Sequence, residues 1–134
     1  MVKVAVNGAL GRMGTRILNL ASRSKDFKIV GAFEHDKNEN LGRELGGLLG
    51  LSDSLGLKVS KLTARSLKGA DVMIDFSSPD GVHASVSAAL AVKAALVIGT
   101  TGIDAKGMAE IAKASKKIAI LLSPNMSVGA NFLF

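Results

Sequence analysis

The sequence predicts an α/β fold, a doubly wound parallel sheet in a single domain over residues 1–134. Three observations predict it. Short apolar runs alternate with helical stretches, the order that builds a parallel sheet covered on both faces. The first fourteen residues join a buried-strand pattern to three spaced glycines, and a helical stretch follows. Polar or glycine-rich segments follow the apolar runs, at the strand ends where open parallel sheets collect ligands.

Residues 1–6 are apolar except for Lys3 and form the first strand. Gly8, Gly11 and Gly14 then follow as G-x-x-G-x-x-G, one residue longer in the turn than the common G-x-G-x-x-G. A helical stretch covers residues 15–24. Such a turn lets the backbone pass close to a phosphate, and the helix start offers N–H groups and partial positive charge. A tight strand-to-helix turn explains three glycines equally well. The second strand, Phe27-Lys-Ile-Val-Gly-Ala-Phe33, shifts the balance because Glu34 ends it, 20 residues past Gly14. An acid there accepts hydrogen bonds from an adenosine ribose, so the reading is a Rossmann-like dinucleotide-binding domain.

Residues 38–56 are too broken by glycine for a helix, and Gly46, Gly47 and Gly50 mark a flap or a poorly ordered loop. A short strand is predicted at residues 57–60 and a buried one at Asp71-Val-Met-Ile-Asp75-Phe76. Ser77-Ser-Pro-Asp80 then caps a helix running to about Lys93. Residues 94–98 form the next strand and lead into Gly99-Thr-Thr-Gly102. A helix over residues 104–115 precedes a last strand over 117–122, which is followed by Ser123-Pro-Asn-Met-Ser127.

Composition narrows the function. The chain has 48% hydrophobic residues, two prolines and no cysteine, so disorder, a disulfide framework and thiolate chemistry are excluded. Two isolated histidines, His35 and His83, predict no metal site. No apolar run approaches the ~20 residues that span a bilayer. Lys3 and Asn7 interrupt the apolar start, so no signal peptide is expected and a cytoplasmic location is. The net charge of +6 suits an anionic ligand. Nucleic acid is the weaker partner, because the basic residues are scattered and Tyr and Trp are absent. Lys113, Lys116 and Lys117 lie where a helix ends, and there they complement its dipole. His83 reads as an exposed helical residue and Met108 as helical core. Asp75 reads either as a residue ordering neighbouring loops or as a turn acceptor.

Four segments resemble the 4-hydroxy-tetrahydrodipicolinate reductase (dihydrodipicolinate reductase) family. They are Val6-Asn-Gly8-Ala-Leu-Gly11-Arg12-Met13-Gly14, Asp75-Phe-Ser-Ser-Pro79, Val97-Ile-Gly99-Thr-Thr-Gly102 and Pro124-Asn-Met-Ser-Val-Gly-Ala-Asn131. The family uses NADH or NADPH to reduce a cyclic imine dicarboxylate in diaminopimelate and lysine biosynthesis. The resemblance implies that Gly8, Ala9, Leu10, Gly11, Arg12 and Met13 wrap the pyrophosphate and that Glu34 holds the ribose. It implies that Gly99, Thr100 and Thr101 border the nicotinamide, with Ser123, Pro124, Asn125 and Met126 meeting it from the other side. Where the family often has Arg beside the ribose acid, this chain has His35. A mostly neutral imidazole clamps a phosphate less well than a guanidinium, so NADH is expected to bind at least as well as NADPH.

The family continues into a second domain carrying a His-His-x-x-x-Lys segment and the groups that grip the dicarboxylate. This sequence stops at Asn131-Phe-Leu-Phe134. The expectation is a cofactor-binding half with no catalytic residue of its own, engaging the substrate only if the missing domain is supplied. Phe132, Leu133 and Phe134 form an apolar ending that suits a homodimer. Two alternatives are a free-standing NAD(P)-sensing module and the cofactor half of another dehydrogenase. The apolar ending argues against the first, and the Gly99-Thr-Thr-Gly102 and 125–131 segments argue against the second.

Overall fold

Five strands and five helices make up the computed structural model, which describes residues 1–122. In chain order they are β1 (Val2–Asn7), α1 (Arg12–Ser22), β2 (Phe27–Phe33), α2 (Leu45–Leu48), α3 (Ala64–Leu67), β3 (Val72–Asp75), α4 (Pro79–Val92), β4 (Ala95–Ile98), α5 (Ala105–Ala114) and β5 (Ile120–Leu122). Every strand pair is parallel, in the order β2-β1-β3-β4-β5. The chain therefore moves outward from β1 to β2 and then crosses back to β3. Loops leaving β1 and β3 diverge to opposite sides of the sheet at that reversal and leave a crevice at its carboxyl edge.

The strands are short and mostly buried because both faces are covered. On one face Met73, Leu96 and Ile98 pack with Val82 and Val86 of α4 and Ile111 of α5. On the other, Val6 and Ala32 pack with Leu18 of α1, and Leu45 and Val59 complete the layer. Ser78 caps α4 by accepting from the Gly81 N–H, with Pro79 at the first helical position, and Asp104 caps α5 from Gly107. These are the start signals read from the sequence.

Several boundaries differ from expectation. Helix α1 starts at Arg12, three residues before Thr15, so Gly14 lies inside the helix instead of in the turn. Glycine is needed at this helical position for a steric reason: a Cβ on Gly14 would collide with the Gly8 carbonyl oxygen and come within 2.9 Å of the Ala9 oxygen. The strand expected at residues 57–60 is reduced to two isolated bridges, Phe33 with Ser60 and Glu44 with Lys58. The Ser60 bridge is parallel, and it places this segment on the outer edge beside β2. Residues 115–117 turn at the end of α5, with the Lys117 N–H donating to the Ala114 carbonyl, so β5 begins only at Ile120. Met108 is 41% exposed and is not core. Helices α2 and α3 have no counterpart in the sequence reading: α2 lies within the stretch that reads as too broken by glycine, where the Glu44 side chain caps it, and the reciprocal pair Thr63 and Ser66 caps α3.

Candidate nucleotide-binding site

The glycine turn separates glycines that the backbone requires from one that leaves space open. Gly8 has φ +82, and a Cβ there would stand 2.6 Å from the Phe76 carbonyl oxygen. The position thus demands both a left-handed backbone and close approach to the β3 loop. The Gly8 and Ala9 N–H groups both donate to the Phe33 carbonyl, at 3.0 and 3.1 Å, which ties the turn to the end of β2. Gly11 is the N-cap of α1 and meets nothing closer than 3.5 Å. Space is therefore open above it.

No side chain caps α1, whereas α2, α3, α4 and α5 each have one. Among the described residues no acceptor meets the first-turn N–H groups of Arg12 and Met13. A helix start of this kind favours an anion through its partial positive charge.

Glu34 stands at the end of β2, half-buried, and its Oε2 accepts the Leu10 N–H at 2.8 Å. The acid that the sequence places near the ribose therefore also braces the glycine turn. Its own N–H donates to the Ser60 carbonyl at 3.1 Å. His35 and Asp36 follow it and are exposed.

Across the crevice, Asp75 closes β3 and is fully buried. Its Oδ1 accepts from the Ser77 N–H at 2.7 Å, the Ser77 hydroxyl at 2.6 Å and the Thr100 hydroxyl at 3.0 Å. Its Oδ2 has no hydrogen-bond partner among the described residues. Beside it Asn7 donates from Nδ2 to the Ser85 hydroxyl at 2.8 Å. Gly99 packs under the Phe76 ring, where a Cβ would overlap the ring carbons.

Together these elements enclose a cleft of about 660 Å³. Gly8, Gly11, Glu34 and His35 line it, as do Phe76, Ser77 and Ser78 of the β3 loop. Of the other candidates, Ala9 is buried beneath the turn, Leu10 and Met13 are half-buried, and Arg12 is exposed beside a neighbouring hollow. Gly99, Thr100 and Thr101 do not line the cleft: Gly99 lies behind Phe76, Thr100 is buried and donates to Asp75, and Thr101 is exposed. Ser123, Pro124, Asn125 and Met126 lie outside the described residues.

Three cleft features were not read from the sequence. Phe76 forms a wall, Asp36 and Asp80 add acidic charge, and Lys61 enters from the edge segment. The last had no sequence signal, because its place depends on the Ser60 bridge. His83 is exposed on α4, as expected, and its Nδ1 lies 2.6 Å from Glu110 of α5, away from the cleft. Among the described residues no group of three or more His, Cys, Asp or Glu could hold a metal, and no helix is long and apolar enough to cross a membrane.

A doubly wound sheet with a glycine turn, an uncapped helix start and an acid on β2 defines a nucleotide-binding domain of the Rossmann type. The family described as "Dihydrodipicolinate reductase, N-terminus" matches residues 2–126, and the chain belongs to it. It is similar to the 4-hydroxy-tetrahydrodipicolinate reductases of Anaeromyxobacter dehalogenans, 42% identical over 134 residues, and Polynucleobacter necessarius, 37% identical over 133 residues. The matches take in 100% and 99% of this chain and 49% of each relative. The chain thus spans about half the length of the curated relatives it matches.

Among solved structures, a dipicolinate-bound dihydrodipicolinate reductase from Paenisporosarcina sp. TG-14 matches with a TM-score of 0.68 and 22% identity, over 92% of this chain and 47% of that one. An aspartate semialdehyde dehydrogenase with NADP from Candida albicans matches with a TM-score of 0.58 and 18% identity, over 75% of this chain and 30% of that one. At these identities the two structures speak to the fold.

Proposed function

We propose that the cleft binds NADH or NADPH and that the chain is the cofactor-binding domain, residues 1–134, of a 4-hydroxy-tetrahydrodipicolinate reductase. The observation that carries this reading is the uncapped start of α1, set behind Gly8 and Gly11 and facing Glu34 across the turn. The N–H groups of Arg12 and Met13 would meet the pyrophosphate, and the free carboxylate oxygen of Glu34 would accept from the adenosine ribose. Phe76 and the Asp75–Thr100 pair would border the nicotinamide half, with Gly99 allowing Phe76 to lie close. The bound cofactor supplies a hydride, and in this reading the acceptor is the carbon of a cyclic imine dicarboxylate. The residues of this chain hold and orient the donor. The groups that bind the dicarboxylate and protonate its nitrogen come from a second domain.

A cytoplasmic location and a homodimer contact through Phe132, Leu133 and Phe134 belong to the same proposal. Sedimentation of the parent chain and of a Phe132→Ser, Phe134→Ser variant checks the contact.

Calorimetric titration with NADH and with NADPH tests the cofactor site. Saturable binding that weakens in Glu34→Ala supports the reading. A folded chain that binds neither would refute it.

A further inference from the structure

The cleft has an uneven charge distribution for a site that takes an anion. Glu34, Asp36 and Asp80 line it, and among the described residues Lys61 is the one lysine or arginine that does. Lys61 reaches it from the outer edge of the sheet, not from the glycine turn. Its position is tightly determined. The neighbouring Ser60 donates from N–H to the Ala32 carbonyl at 3.0 Å and accepts from the Glu34 N–H at 3.1 Å. The Lys61 carbonyl itself accepts from the Ser66 hydroxyl at 3.0 Å. The backbone is thus pinned on both sides, directly beside the acid that ends β2, while the side chain is exposed. Among the described residues the single ion pair is His83 with Glu110, so no acid within 4.0 Å engages the Lys61 ammonium.

Resting on the cofactor reading above, we infer that Lys61 is the specificity-determining residue for the adenosine 2′-phosphate of NADPH. In a doubly wound fold the ribose 2′ position lies at the carboxyl end of the second strand, next to the acid. Here that place is flanked by His35 and Asp36 on one side and by Lys61 on the other. His35 follows Glu34 in sequence, and its imidazole lacks the forked, permanently charged donor set with which a guanidinium clamps a phosphate. Lys61 brings a full, flexible point charge suited to a phosphate dianion. Asp36 opposes it. The discrimination between NADPH and NADH is therefore set by a lysine–aspartate balance across the mouth of the cleft. The cation comes from the edge segment, 27 residues beyond Glu34.

The test uses the whole chain with two ligand pairs, NADPH against NADH and 2′,5′-ADP against 5′-AMP. Each pair differs only by the 2′-phosphate. In Lys61→Gln, affinity for NADPH and 2′,5′-ADP falls about five- to tenfold, while NADH and 5′-AMP change less than about twofold. Asp36→Asn shifts the same ratio in the opposite direction by a few fold, and raising the salt to about 0.5 M shrinks both effects. Thermal midpoints stay unchanged, because the side chain is exposed and the backbone bonds remain. An equal loss for all four ligands would make Lys61 a general attractor of phosphate and overturn the inference, as would an unchanged ratio. A parent chain that binds NADH but never NADPH also overturns it and leaves the cofactor site standing. A parent chain that binds none of the four removes both.

Discussion

The Leu10 N–H donates to Glu34 Oε2 at 2.8 Å, across a sequence separation of 24 residues. One carboxylate therefore closes the glycine turn and faces the cleft that the turn creates. Glu34→Ala is expected to lower stability by about 1 kcal/mol, the size of a half-exposed charge-assisted hydrogen bond. It should weaken NADH about tenfold or more. Glu34→Gln keeps an oxygen for Leu10 and restores most of the stability. Urea denaturation and calorimetry on the same samples separate the two effects, and an Ala variant equal to the parent in both would discount the brace.

Gly14 and Gly11 separate fold from function within one turn. Gly14→Ala drives a methyl into the Gly8 oxygen and should cost roughly 2–3 kcal/mol through forced backbone movement. Gly11 has φ −73 and only ordinary contact at 3.5 Å, so Gly11→Ala should fold with near-parent stability. Its methyl nevertheless stands where the pyrophosphate would pass, and cofactor affinity should drop at least tenfold. Equal losses of stability in the two variants would contradict this assignment.

Asp75 holds Ser77 and Thr100 together with one oxygen at the centre of the sheet edge. Asp75→Ala strands a main-chain N–H and two hydroxyls, and a loss of roughly 2–4 kcal/mol is expected. Asp75→Asn keeps an acceptor and should cost less. Chemical denaturation of both variants decides the point, because an Ala variant no worse than Asn would show that the network carries little.

Glu44 caps α2 and accepts from the Gly46, Gly47 and Leu55 N–H groups at 2.8, 3.0 and 3.0 Å. These bonds hold its carboxyl below the ordinary glutamate range; Gly46 contributes most, partial desolvation opposes it, and Leu55 and Gly47 add to the lowering. A lowered folded-state value means that the carboxylate stabilises the fold above the unfolded-state value, near 4.5. That contribution is lost as pH falls through the folded-state value below it. Amide exchange at Gly46, Gly47 and Leu55 should therefore accelerate on acidification beyond the intrinsic pH dependence. Glu44→Gln should abolish this extra acceleration, and its persistence in that variant would assign it to another group.

Local pattern makes much of this molecule legible in its amino-acid sequence. The bounds of β2 fall as read, because the mostly apolar run Phe27–Phe33 is bracketed by polar segments at both ends. The starts of α4 and α5 fall within a residue of Ser78 and Asp104, because a capping side chain acts on its own chain three residues on. Glu34 is legible through its spacing from the glycines. Gly14 reads as a turn residue and is helical, and its need for glycine comes from a carbonyl oxygen six residues back, a contact that periodicity does not encode. The segment at residues 57–60 reads as a strand by composition, yet its pairing ends at single bridges.

By itself the sequence determined the fold class, the strand–turn–helix that opens the chain and the family to which it belongs. The first two rest on short-range rules of side-chain period, glycine placement and helix capping, and the family rests on the likeness of whole motif segments to those of its members. Only the tertiary structure decided that Glu34 braces Leu10, that Asp75 joins the β3 and β4 loops and that Lys61 enters the cleft beside Glu34. Those relationships span 24, 25 and 27 residues. They exist because parallel strand register brings the carboxyl ends of separate strands to one edge, and no local stretch of chain specifies that register.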